Sequence, residues 1–120
     1  ALQSFPNHKQ LLYDYPEALL KGKQNEAAIV FINKQLALYP NDAKLHQLAA
    51  QSYAALGKKL LQHRHQGEYY ALLGLYALAL DQFELARKAG NGDFYQQSAL
   101  EAKLRETKKK LAEQKKELSK

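Results

Sequence analysis

Gly67-Glu68-Tyr69-Tyr70-Ala71-Leu72-Leu73-Gly74-Leu75-Tyr76-Ala77-Leu78-Ala79-Leu80-Asp81-Gln82-Phe83-Glu84-Leu85-Ala86 is the stretch that decides the fold. Gly74 divides it into two helical halves, because glycine closes a helix in a left-handed turn at little steric cost. Gly67 and Ala79 are small where the two helices must touch, so their backbones can approach closely. Tyr70, Tyr76 and Phe83 fill the space between the pair. Ala86 leaves room for the helix that follows.

The rest of the chain supports a helical reading. The 120 residues include no Cys, Met or Trp. The β-branched residues are Ile29, Val30, Ile32 and Thr107, too few to pack the faces of several strands. Ala and Leu, strong helix formers, contribute 18 and 22 residues. The expected class is all-α. Lack of Cys excludes disulfides, thiol nucleophiles and Cys-ligated zinc. No apolar run approaches the ~20 residues of a membrane span.

Punctuation divides the chain into about six helices joined by short turns, so neighbours should run antiparallel. A first helix, about 7–20, has Ser4 or Asn7 as its N-cap and is bent at Pro16. The others are expected at about 24–38, 43–56, 59–73, 76–89 and from Asp93 through the tail. Residues 1–99 form the repeat body, with 100–120 a basic extension of the same domain. The formal net charge is +6, and most of it lies in that extension.

Parts of the opening pattern recur. Gly22-x-x-x-x-Ala27-x-x-x-Phe31 matches a second helix, and Ala50-x-x-Tyr53-x-x-x-Gly57 a first. Over residues 8–93 the chain resembles the tetratricopeptide repeat (TPR), a helix–turn–helix unit of about 34 residues. Between Gly57 and Gly74 there is room for one helix only. One second helix is therefore missing, and alternation breaks in the middle of the array.

Residues 43–105 carry a closer likeness. Leu48-Ala49-Ala50-Gln51-Ser52-Tyr53-Ala54-Ala55-Leu56-Gly57, the Glu68-Tyr69-Tyr70 helix, Ala79-Leu80-Asp81-Gln82-Phe83-Glu84-Leu85-Ala86 and Asp93-Phe94-Tyr95 stand in order. This resembles the C-terminal TPR domain of bacterial M48-family zinc metalloproteases, of the β-barrel assembly-enhancing type. Gly67, where that family more often has Ala, and Ala99-Leu100-Glu101-Ala102, where a more basic segment is common, depart from its pattern. The resemblance implies a substrate-binding or docking module of a periplasmic protease, with outer-membrane assembly components or substrates as partners. The family's zinc would belong to an upstream domain, since His-Glu-x-x-His is absent here. That reading, with the lack of any Met, predicts a fragment.

No catalytic, cofactor or metal site is expected in the chain. His63 and His65 stand about 200° apart on a helix and cannot share a metal from one face; the histidines read as ordinary surface or groove residues. A TPR array binds peptides along its first helices. The candidate groove residues are Lys44, Gln47, Gln51, Ala54 and Ala55, then Arg64, His65, Glu68 and Leu72. Their polar character suits a peptide or its terminal carboxylate. The alternatives are an independent TPR adaptor, or a basic tail touching membrane or nucleic acid. Lys108-Lys109-Lys110 lacks aromatic residues for base stacking, so nucleic acid is not the expected partner.

Overall fold

The computed structural model describes residues 8–119. They form six helices: α1 His8–Lys21, α2 Asn25–Leu38, α3 Ala43–Ala55, α4 Lys59–Leu72, α5 Tyr76–Ala89 and α6 Phe94–Leu118. The fold is an all-α array in which each helix packs on the next. The expected boundaries agree within one or two residues. The Ser4 and Asn7 caps lie outside the described residues. Helix α1 continues through Pro16, which is buried.

Local chemistry explains the boundaries. Asp42 caps α3: its Oδ1 accepts the Leu45 backbone N–H at 3.0 Å, while Oδ2 accepts the Tyr13 hydroxyl at 2.7 Å. One carboxylate thus starts α3 and ties α1 to it. Burial first, then the Asp42 hydrogen bond and charge, push the Tyr13 pKa up to about 12. Asp93 and Gln96 form a reciprocal capping box at the start of α6. Gly57 and Gly74 follow α3 and α4 with φ of 74° and 77°, the left-handed conformation expected of them.

The apolar core falls into two clusters. Leu12, Ala28, Ile29, Ile32, Leu36, Leu45, Leu48 and Ala49 join α1 to α3. Leu60, Ala79, Phe83, Ala86, Leu100 and Leu104 join α4 to α6. The opening stretch packs as its residue sizes require. A Cβ built on Gly67 would lie 2.5 Å from Phe83 Cε1, so this crossing admits only glycine without rearrangement. Phe83, Ala79 and Ala86 are fully buried, while Tyr70 and Tyr76 are half-buried.

Two repeat positions sit differently from the sequence reading. Ala27, expected at a close helix contact, is exposed, and its neighbour Ala28 is fully buried instead. Phe31 is half-buried and meets Tyr15 edge-on at 4.8 Å. Ala50 is buried and Tyr53 half-buried. Helix α4 fills the space between Gly57 and Gly74 alone, as the register break requires, and packs on α3 with one side and α5 with the other.

Candidate functional site

The α3–α4 seam between the two apolar clusters is polar. His46 and His65 are only 8% and 6% exposed, and their Nδ1 atoms are 3.0 Å apart. The Pro40 carbonyl, 2.8 Å from His46 Nε2, can only accept. His46 therefore carries its proton on Nε2, and its bare Nδ1 accepts from His65 Nδ1–H. Tyr53 stacks on His65 at 5.5 Å and 17°. Burial, then the charges of Arg64 and His46, lower the His65 pKa to about 3. Nearby, the Ser52 hydroxyl donates to the Leu48 carbonyl.

This pair corrects the reading of His46 and His65 as ordinary surface or groove residues. Spacing along one helix compares residues of that helix only, whereas the pair forms across two. Its one sequence signal is the polar residue on each apolar side of the break. His63, by contrast, lies at the α4–α5 contact, with Nδ1 2.8 Å from Gln82 Oε1.

The candidate groove residues divide into two groups. Lys44 reaches Glu17 of α1 at 3.3 Å, and exposed Gln51 faces a shallow depression with Glu17, Leu20 and Lys21. Gln47 is half-buried; Ala54 and Ala55 are exposed. On α4, Arg64 is half-buried, and His65 turns into the seam. Glu68 and Leu72 line a separate cavity of about 200 Å³ with Asn41, Tyr76, Lys103 and Lys110. There Lys103 bridges Glu68 at 3.2 Å and Glu106 at 3.7 Å, and Lys110 reaches Glu106 at 3.7 Å. Lys103, Glu106 and Lys110 are not among the candidate groove residues of the sequence, because they lie in the tail extension.

The tail is ordered helix packed on the body. Leu100, Leu104 and Thr107 are buried, and Gln114 Nε2 donates to the Gly74 carbonyl at 3.0 Å. Lys108, Lys109, Lys115 and Lys116 are exposed. Among the described residues no group of three or more His, Cys, Asp or Glu side chains converges to hold a metal. No helix among them is long and apolar enough to cross a membrane.

No protein-family model matches the chain, and no curated protein matches it at a significant level.

Proposed function

We propose that this chain is a non-catalytic, TPR-like protein-interaction module, the C-terminal substrate-binding or docking part of a periplasmic M48-type zinc metalloprotease. The observation that carries the interaction half is the α4–α5 crossing, where Gly67, Ala79 and Phe83 interlock as a TPR pair requires. That crossing sets the cavity between α4 and α6. Its lining mixes apolar side chains, among them Ala71, Leu72 and Tyr76, with both charges, from Glu68, Glu106, Lys103 and Lys110. An extended peptide has the matching character: apolar side chains beside a polar backbone and charged ends. The protease half rests on the ordered motifs of residues 43–105. Zinc would lie in the catalytic domain.

Peptide-display selection against the chain tests the interaction half. Selected peptides should lose at least tenfold in affinity in Leu72→Asp and Glu68→Lys, roughly the effect of removing one good contact. Binding unchanged by both substitutions would overturn the groove. The reading frame upstream of Ala1 tests the protease half. A His-Glu-x-x-His motif behind a signal sequence supports it; a start codon immediately before Ala1 sinks it.

A further inference from the structure

Three turns come together at one end of the array. The α1–α2 turn lies beside the α3–α4 turn, because Lys23, Gln24 and Asn25 share a depression with Leu56. The α3–α4 turn in turn abuts the α5–α6 loop, where Gly92 packs against the Leu60 side chain. These turns and their helix ends carry Lys21, Lys23, Lys58, Lys59 and Lys88, all exposed. None of the five forms an ion pair with a described residue. Arg87 is different, being paired with Glu84 and Glu101. Carboxylates stand here too: Glu26 shares a depression with Lys23, Glu17, which pairs with Lys44, shares one with Lys21, and Asp93 is engaged as the α6 cap.

Beside these lysines stand two large aromatic residues in open solvent. Phe94 is 77% and Tyr95 81% exposed, and their rings meet edge-on at 5.9 Å. Nothing in the packing of the array needs them there, since the capping box starts α6 without them. The opposite end is built differently. Its turns expose Leu38, Tyr39, Leu73 and Leu75, and residues 38–42 and 72–78 contain no Lys or Arg.

We infer that the 22–24, 56–59 and 88–95 end is a docking surface for a bilayer bearing anionic phospholipid headgroups. Unpaired lysines are attracted to such a surface, each by roughly a fivefold gain in partitioning. Their methylene stems lie along the interface while the ammonium groups meet phosphate. Phe and Tyr rings at the same level enter the headgroup region, where aromatic side chains are favoured. Charge complementarity selects anionic lipid over neutral lipid. Nucleic acid fits less well, because the two rings are nearly perpendicular, with 74° between their planes, and offer no parallel platform for successive bases. The site is also distinct from the basic tail, which runs toward the Gly74 turn at the other end.

Vesicle flotation of the full chain tests the surface at about 0.15 M salt. The chain should float with vesicles of roughly 70:30 phosphatidylcholine:phosphatidylglycerol and stay behind with phosphatidylcholine alone. Lys23→Gln/Lys58→Gln/Lys59→Gln should reduce retention by about tenfold or more, and Phe94→Ser/Tyr95→Ser by about fivefold. The tail variant Lys108→Gln/Lys109→Gln/Lys115→Gln/Lys116→Gln should change it less than about twofold. All of these residues are exposed, and unchanged helical circular dichroism checks that each variant folds. The chain has no Trp, so Tyr95→Trp introduces a single reporter whose emission should shift to the blue on the anionic vesicles. Absence of flotation, absence of that shift, or an equal loss in the tail variant would overturn the proposal. So would tighter capture by a single-stranded oligonucleotide than by the anionic vesicles.

Discussion

Helix α4 has two faces that solve the same packing problem with opposite chemistry. Toward α5 it is tight and mostly apolar: Gly67 meets the buried Phe83 ring, and the polar His63–Gln82 pair is only part-buried. Toward α3 it is polar: His65 reaches the buried His46 and stacks beneath Tyr53. The difference follows from what each face meets: α3 brings His46 and Tyr53, and α5 brings Ala79 and Phe83. The resulting seam uses flat rings that share one proton. The α5 face should therefore respond to volume and the α3 face to pH.

The largest effect is expected on the volume side. Phe83→Ala removes the ring around which α4, α5 and α6 close, and should destabilise by about 3–5 kcal/mol in urea unfolding. A loss below about 1 kcal/mol would mean that the second apolar cluster does not centre on Phe83.

The seam comes next. With its folded pKa lowered to about 3, against about 6.5 unfolded, His65 binds its proton in the unfolded chain first. Its contribution is complete above pH 6.5 and is lost as pH falls from there toward 3. Between pH 6.5 and 4.5 the loss should be on the order of 2 kcal/mol, two pH units at 1.36 kcal/mol each less the half-titrated start. The physical event is protonation of His65 at Nε2, since its Nδ1 already carries the proton donated to His46. Urea melts across this range check it, and His65→Gln should flatten the dependence. An equally steep slope in that variant would place the titration elsewhere.

Gly67→Ala sharpens the tight face. The added methyl would stand 2.5 Å from Phe83 Cε1, an overpacking cost of about 1–3 kcal/mol. The gain in helix propensity offsets about 1 kcal/mol of it. A net loss of up to about 2 kcal/mol is expected, with partial recovery in Gly67→Ala/Phe83→Leu. Recovery marks steric conflict as the cause, since two independent losses would add.

The two faces also differ in how far they could be read from the sequence. Gly67, Gly74, Ala79 and Phe83 form a local pattern: spacing within about 20 residues carries both the helix pair and its close contact. Helix boundaries were legible for the same reason, from Gly57, Gly74 and the capping Asp93. The His46–His65 pair is non-local, and its partners are set by which face of α3 meets α4 after the break. Spacing located that break but not the rotation of the helices across it. The groove suffered likewise. Glu68 was named as a groove residue, but its partner Lys103 lies on the tail helix and is brought in only by α6 packing. Ala27 and Ala28 differ by one residue, and a small change in α2 rotation decides which is buried.

The smallest effect separates the ring of Tyr53 from its hydroxyl. The hydroxyl accepts from Asn33 Nδ2 at 3.2 Å in an exposed setting, whereas the ring stacks on buried His65. Tyr53→Phe keeps the ring and should cost no more than about 0.5 kcal/mol, since water replaces the lost partner. Tyr53→Leu keeps apolar volume but gives up the stack, and should cost about 0.5–1.5 kcal/mol more. By opening His65 to solvent it should also raise the folded-state pKa of His65 toward its unfolded value and so shrink the acid-induced loss of stability. If both variants melt alike and share the wild-type pH profile, the seam is held by the histidine pair alone, with Tyr53 a bystander at its edge.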